Sequence, residues 1–271
     1  MSKNYYYLVS GLQDLKLNET RLKISSKNFR TEIKERLSSE DSYYFDFLEL
    51  AKDNRNFLNF IFKKDLNENQ TGVYSSELIP ELIQDKTRLP LYLVDFLNYH
   101  EEHQSTLTYI EAEKKLTELY FNAGTKLDNE FISWYFHLEG NIRNILIWNQ
   151  YKNENKNNDQ IVHFNSLSTS LLSKTFKETD LNHLLDWYNS FVPIINNENI
   201  LQRERNIDEL KWSLIDQRNI FQYFSIDVLL AYYLKLKIAE RWLLLDPEQG
   251  KKLFQSIIDK SKELIELPND K

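Results

Sequence analysis

Apolar side chains recur along most of this chain at spacings of three, four and seven residues, which is the period of one face of an α-helix. The pattern is clearest in the stretch 39–64, where Phe47, Leu50, Phe57 and Ile61 share a face. Comparable patterns predict further helices at 28–37, 80–86, 91–103, 108–121, 128–151, 225–245 and 246–267, with several shorter helices between 165 and 222.

The beginning of the chain and its composition complete the prediction of fold class. Residues 5–12, YYYLVSGL, fit either a short strand or a first helical turn, and we favour helix or extended packing because a lone strand has no partner. Gly and Pro contribute only five residues each to a chain of 271. Since tight β-turns draw on these residues, a many-stranded sandwich or barrel is disfavoured and an all-α fold is expected.

Three of the predicted helices repeat one spacing of residue types. An aromatic residue, a leucine, an arginine and a closing apolar pair keep the same register at 47–58, 135–146 and 233–244. The copies start 88 and then 98 residues apart, further than the 20 to 50 residues of solenoid repeats. This spacing predicts three pseudo-symmetric helical lobes, each built around one long helix, with approximate boundaries 1–105, 106–165 and 166–271.

Charge and composition exclude several function classes. The net charge of −7, without a long basic run, argues against nucleic-acid binding. The lack of cysteine excludes disulfides, thiol nucleophiles and cysteine-bound metal. No apolar run approaches 18 residues and the first ten residues lack the apolar core of a signal peptide, so we expect a soluble, cytoplasmic protein that could still be peripheral to a membrane assembly.

The chain lacks the familiar catalytic motifs. Its few glycines do not cluster into a phosphate-binding loop, and no zinc helix or nucleophile elbow is present. His100 and His103 lie three apart beside two glutamates and could start a metal site, but a histidine pair without a third fixed ligand is a weak motif. Glu49 and Asp53 could act as an acid and base pair, yet a hydrated acidic helix face is the favoured interpretation. We therefore predict no catalytic, cofactor or metal site.

The repeated arginines, Arg55, Arg143 and Arg241, have two interpretations. They could form a basic ring that faces a partner. Alternatively, each aliphatic stem lies along an apolar helix face while the guanidinium pairs with a neighbouring acid. We favour the second, because long charged side chains commonly border a helix core.

Two short motifs carry a family resemblance. Residues 53–58, DNRNFL, resemble a D-x-x-N-Φ element on long helices of the C-type (also called d-type) subunits of V/A-type rotary ATPases. The second copy has Asn141 and Asn144 in these positions, with Glu139 close by, and the third keeps only Arg241 and the apolar pattern. The N-terminal YYYLVSGLQDL resembles the start of a bacterial family of unknown function whose members are typically encoded beside the subunits of a V-type ATPase.

The resemblance implies an all-helical, three-lobed funnel that sits on the membrane rotor ring, receives the central stalk and transmits torque without catalysing a reaction. In that role Asp53, Asn56, Asn141 and Asn144 are expected to fix helix packing, and the protein would lie at the cytoplasmic face of the membrane. Two other classes stay open. One is a helical scaffold or adaptor that binds a protein partner through an aromatic surface, and the other is a hydrolase or metalloenzyme built around His100 and His103.

Overall fold

A computed structural model describes residues 4–19, 21–65, 72–154, 160–173 and 176–245. All regular secondary structure within these ranges is helical, with no strand among them, which confirms the prediction of an all-α fold. None of the described helices is both long enough and apolar enough to cross a membrane.

The described ranges contain twelve α-helices joined by short connections. Their bounds are α1 Tyr6–Ser10, α2 Ser26–Lys34, α3 Ser39–Ile61, α4 Ile79–Gln84, α5 Leu91–His103, α6 Tyr109–Gly124, α7 Glu130–Glu154, α8 Ser166–Leu171, α9 Glu178–Leu184, α10 Tyr188–Ile195, α11 Ile200–Asn219 and α12 Ile226–Leu245. Two single 3-10 turns, Ser76–Leu78 and Lys86–Arg88, flank α4.

One long helix was missed by the hydrophobic pattern. Only short helices were expected between 165 and 222, whereas α11 runs for 20 residues. No Gly or Pro interrupts it, and Asn199 begins it by accepting a hydrogen bond from the Gln202 amide at 3.0 Å. A break was also expected near Pro193 and the pair Asn196 and Asn197, and α10, which contains Pro193, ends there at Ile195.

The chain divides into two compact units. The larger unit comprises residues 39–203, and the smaller comprises residues 1–38 together with the chain from 204 onwards. Both predicted lobe boundaries, near 105 and 165, therefore fall inside the larger unit. The three-lobed funnel stays a prediction.

The larger unit is built on α3, α6 and α7, whose aromatic side chains meet in its interior. The ring of Phe47 lies 5.2 Å from that of Tyr120, 5.3 Å from that of Phe136 and 5.8 Å from that of Tyr92. The hydroxyl of Tyr120 donates to the Phe47 carbonyl oxygen at 3.0 Å, so this buried phenol is satisfied. Aromatic packing thus fixes the helices that carry the candidate site.

The smaller unit packs α2 against α12. Phe29 of α2 lies with its ring 5.0 Å from that of Tyr232 and 6.4 Å from that of Tyr233. Glu240 of α12 accepts from both the backbone amide and the hydroxyl of Ser26, at the first turn of α2. An acid at this position satisfies a free helical amide and complements the helix dipole.

Two sequence predictions involve residues outside the described ranges. The helix predicted for 246–267 lies wholly outside them. The polar loop predicted for 152–160 lies partly outside, and α7 extends into it as far as Glu154.

Candidate functional site

The carboxylate of Asp53 holds the chain segment that follows its own helix. It is fully buried on α3 and accepts backbone hydrogen bonds from Gly72 at 3.1 Å, Val73 at 2.7 Å and Tyr74 at 3.4 Å. These three amides come from consecutive residues, so one side chain fixes the path of a whole turn of chain. We refer to this contact as the α3 clasp.

Gly72 is required at this clasp for steric reasons. A Cβ atom added to it would lie 2.4 Å from the carbonyl oxygen of Glu49 and 2.6 Å from Oδ2 of Asp53. Both distances are far below van der Waals contact, and one of the atoms belongs to the helix backbone. Only glycine therefore allows the segment to approach α3 closely enough for its amides to reach the carboxylate.

Asn144 makes the equivalent contact on α7. Its Nδ2 donates to the Val162 carbonyl oxygen at 2.8 Å and its Oδ1 accepts from the Val162 amide at 3.0 Å. Asn141, one turn earlier, accepts at Oδ1 from Nδ2 of Asn165 at 2.8 Å. We refer to these contacts as the α7 clasp. As in the α3 clasp, buried polar side chains on a long helix hold the segment that follows it.

The chemistry of each clasp follows from its polar groups. An ionised carboxylate can only accept, and Asp53 meets three donors. A carboxamide both donates and accepts, and Asn144 meets one amide and one carbonyl. Asn56, the residue of α3 that occupies the same repeat position as Asn144, is buried as well. Three of the four sequence-predicted residues, Asp53, Asn141 and Asn144, therefore make the clasp contacts, and Asn56 is buried on the same helix as Asp53.

The carboxyl group of Asp53 has a strongly shifted pKa. Burial raises the pKa of its carboxyl from 3.8 to about 6, while the three backbone hydrogen bonds oppose that rise and the charge of Glu49 adds to it. The acceptor positions of Asp53 face the segment that it holds, so the geometry suits holding rather than proton transfer to a substrate.

The hydrated acidic face expected for Glu49 and Asp53 is wrong. Both side chains are buried, because α3 is covered on this side by the returning segment. Glu49 is compensated by Lys52, whose Nζ lies 2.6 Å from Oε2 one turn away on the same helix. The sequence pattern could not show this burial, since the covering residues are distant along the chain.

The third copy of the repeat, on α12, is built differently. Trp242 stands where the other copies have Asn56 and Asn144, and its Nε1 donates to the buried Asp208 carboxylate at 2.9 Å. The contact therefore goes to α11, which precedes α12. Ala239 stands at the position of Asp53 and is buried without any polar group.

The repeated arginines have different surroundings. Arg241 pairs with Glu204 at 2.7 Å and with Asp208 at 3.4 Å. Arg143 is partly buried, its Nη1 lies 3.5 Å from the Gln160 carbonyl oxygen, and burial lowers its pKa. Arg55 is exposed on α3. Two of the three thus contact acceptors of their own unit.

His100 and His103 pack against aromatic rings near the end of α5. The ring of His103 stacks on Tyr99 at 4.2 Å, with Nδ1 at 2.8 Å from the Tyr99 carbonyl oxygen. The ring of His100 meets Phe62 edge-on at 5.9 Å, and burial lowers its pKa. Among the described residues, no group of three His, Cys, Asp or Glu side chains could hold a metal ion.

Sequence reasoning missed the partners of the clasp residues and one exposed surface. The glycine Gly72 and the amide Asn165 carried no local signal. The connection between α11 and α12 reads IFQYF at 220–224, and Phe221 and Tyr223 are 81% and 68% exposed. A run of large apolar residues between two helices is a signal that could have identified this surface.

Comparison with known proteins finds one family that matches this chain. The profile of a family described as "Protein of unknown function (DUF2764)" matches residues 1–265, nearly the whole chain. No curated protein and no solved structure matches it.

Proposed function

We propose that this chain, which belongs to the DUF2764 family of proteins of unknown function, is a non-catalytic connector in a V/A-type rotary ATPase. In this role it binds the membrane rotor ring and the central stalk and transmits torque between them during ion transport. It would lie at the cytoplasmic face of the membrane.

The observation that carries this proposal is the correspondence between the α3 and α7 clasps. The D-x-x-N-Φ element, which resembles that of the C-type rotary ATPase subunits, provides Asp53 on α3, and its second copy provides Asn144, at the repeat position of Asn56, on α7. Each side chain holds backbone 18 to 21 residues further along the chain. The element and its copy thus supply the same kind of contact from positions one helical turn apart, which supports the proposal.

The clasps suit a part that must transmit force. A helix whose following segment is bound to it by buried hydrogen bonds cannot separate from that segment without exposing unpaired polar groups. Such regions open only at high free energy, whereas a loosely held connection would yield locally. The held segments of these two long helices support the proposal of mechanical coupling.

Purification of the tagged protein from native membranes in a mild detergent tests this function. We expect the rotor-ring and central-stalk proteins of a rotary ATPase to be recovered with it. A reciprocal purification through a tagged stalk protein provides the control. If the stalk protein brings down its complex without this chain, and this chain is recovered free of ATPase components, the connector function is refuted.

A second function, a helical adaptor unrelated to ATPases, is favoured by an exposed aromatic surface in the smaller unit. The ring of Phe224 lies 4.6 Å from that of Tyr6, and its carbonyl oxygen accepts from the Tyr5 amide at 2.7 Å. Exposed Tyr6 thereby lies beside the connection that carries exposed Phe221 and Tyr223, and these three residues are here called the aromatic surface. Contiguous exposed apolar side chains commonly mark protein interaction sites.

The same purification distinguishes the two functions when it is repeated with a Phe221→Ser, Tyr223→Ser double variant. A connector that uses the aromatic surface loses the ATPase components with this variant. An adaptor instead loses a different, stoichiometric partner that the unmodified chain recovers in the absence of any ATPase component. Gln222→Ser, in the same connection, is the matched control and should retain either partner.

A further inference from the structure

The arginines of the first two repeat copies, Arg55 and Arg143, lack the acidic neighbour that the sequence led us to expect. Among the described residues neither guanidinium forms an ion pair with a carboxylate, whereas Arg241 in the third copy forms two. Arg55 is exposed, and Arg143 is partly buried with one long hydrogen bond, of 3.5 Å, to the Gln160 carbonyl oxygen. Since a guanidinium carries five N–H donors, both arginines have donors to offer to a ligand.

The packing of α6 against α3 places Arg55 level with Glu113. The hydroxyl of Tyr109, the first residue of α6, donates to Oδ1 of Asn59 near the end of α3 at 3.1 Å, whereas a later residue of α6 bonds to the first half of α3. The two helices therefore run antiparallel. Arg55 lies one turn before Asn59 on α3. Glu113 lies one turn after Tyr109 on α6, so the two charged residues are at the same level.

The packing of α6 against α7 brings Arg143 to this level as well. The rings of Tyr120 and Phe136 lie 5.2 Å apart, and α7 turns back along α6 after a short connection. Glu113 lies seven residues before Tyr120 on α6. Arg143 lies seven residues after Phe136 on α7, and seven residues span about 10 Å along either helix. The two repeat arginines are therefore level with the same residue of α6, on the helices that flank it.

The electrostatic effects in this region agree with the register. Burial lowers the pKa of Arg143, and the negative charge of Glu113 opposes that change. Burial raises the pKa of Tyr109, and Glu113 adds to the rise while Arg55 opposes it. Glu113 is thus a common neighbour of both arginines, although it forms an ion pair with neither in the part of the chain that the structure describes.

Lys64 extends the positive surface by one turn. Its Nζ lies 3.3 Å from the centroid of the Tyr109 ring, so it contacts the residue one turn before Glu113 on α6. Lys64 is exposed and, like the two arginines, has no ion-pair partner within the described ranges. Three cations without such partners are therefore gathered at one end of α6, in a chain whose net charge is −7.

The arrangement of these cations favours a chain segment over a single small anion as the ligand. Packed helices lie about 8 to 10 Å apart, so the backbones that carry the two arginines are well separated. A small anion placed between Arg55 and Arg143 would also meet the negative charge of Glu113. Carboxylates spaced along a segment can instead meet each guanidinium separately, in the bidentate geometry that this group prefers.

We propose that Arg55, Arg143 and Lys64 form a binding surface, the α6 basic surface, for an acidic segment of a partner protein. The two guanidiniums bind carboxylates of the segment, and Lys64 adds a point charge one turn further along α6. This surface does not depend on the proposed connector function, because its cations would bind an acidic segment of any partner with the matching spacing.

Titration of the full chain with a dye-labelled octaglutamate peptide at low ionic strength, followed by fluorescence anisotropy, tests this surface. We expect saturable binding to the unmodified protein and a loss of affinity on the order of tenfold in the Arg55→Gln, Arg143→Gln double variant. The matched control, Arg21→Gln with Arg36→Gln, removes the same charge from the smaller unit and should keep the affinity within about twofold. No saturable binding, or equal losses in the two double variants, overturns the proposal.

Two single variants keep the test decisive if the loss of the partly buried Arg143 impairs folding. Arg55→Gln changes an exposed side chain and should by itself weaken peptide binding about threefold. Glu113→Gln should tighten binding, because it removes the carboxylate that repels the segment. Its matched control is Glu35→Gln in the smaller unit. If Glu113→Gln binds the peptide no better than this control, the location of the segment beside α6 is refuted.

Inorganic phosphate distinguishes an acidic segment from a small oxyanion. We expect phosphate to displace the labelled peptide no better than sodium chloride of the same ionic strength, because screening acts on both alike. Selective displacement by phosphate would assign the arginines to a small anion and overturn the proposal.

Discussion

Replacing Gly72 by alanine introduces a methyl group where the α3 clasp has no room for one. The new Cβ atom would lie 2.4 Å from the Glu49 carbonyl oxygen, whereas ordinary contact begins near 3.4 Å. Since that oxygen belongs to the backbone of α3, the segment 72–74 must move away by about 1 Å. Such a shift stretches the bonds from Gly72 and Val73 to Asp53, now 3.1 and 2.7 Å, past useful hydrogen-bond length.

The magnitude follows from those two bonds. Each hydrogen bond to a charged acceptor contributes about 1.5 to 3 kcal/mol, and loss of the pair leaves a buried carboxylate poorly satisfied. We therefore expect Gly72→Ala to lower the free energy of unfolding by about 3 to 5 kcal/mol. Urea denaturation followed by far-ultraviolet circular dichroism measures this change.

Gly11→Ala is the matched control for this experiment. A Cβ atom on Gly11 would lie 3.6 Å from its nearest neighbours, the carbonyl oxygens of Tyr7 and Leu8, so it fits without movement. The free energy of unfolding of the Gly11→Ala protein should stay within about 0.5 kcal/mol of that of the unmodified chain. If the free energies of unfolding of the Gly72→Ala and Gly11→Ala proteins differ by less than about 1 kcal/mol, the tight clasp is refuted.

Three further predictions concern the polar contacts. Because burial raises the pKa of Asp53 to about 6, its ionisation costs the folded state, and the unfolding free energy should fall by up to about 3 kcal/mol as pH rises from 4 through 6. Asp53→Asn should remove this pH-dependent component. If the difference in unfolding free energy between the two proteins does not change between pH 4 and 7, the raised pKa of Asp53 is contradicted. Asn144→Ala should cost about 2 to 4 kcal/mol by leaving both polar groups of its partner unpaired, against little change for the exposed control Gln150→Ala in the same urea assay. Trp242→Phe should cost about 1 to 3 kcal/mol because the buried Asp208 loses a donor, and an unchanged urea midpoint would show that its remaining cations compensate fully.

The sequence predicted the polar residues of the candidate site but not the groups that they hold. Repeated spacing aligned Asp53 with Asn141 and Asn56 with Asn144, because all four lie on long amphipathic helices whose period is easily recognised. Their partners were not visible. The amides of residues 72–74 and of Val162 carry no side-chain signature, and backbone groups enter a polar network only when the chain returns to them.

The third copy shows the limit of repeat reasoning most clearly. Its spacing of aromatic, leucine and arginine residues matches the other two, and Tyr233 and Leu236 are buried as that pattern predicts. Yet Trp242, at the position of the clasp asparagines, bonds to the preceding helix. A pattern of apolar residues fixes which face of a helix is buried but does not determine what covers it.

Local features of the chain were enough to predict a helical protein. Few glycines and prolines, a long-range helical period and a repeated set of polar positions were sufficient, because each of these is a local property of the chain. Three features became known from the folded structure alone: residues 1–38 belong with α12, Glu49 is buried, and Asp53 holds a turn of backbone. These features depend on contacts between residues far apart in the chain, and burial and hydrogen-bond pairing are settled only when such residues meet.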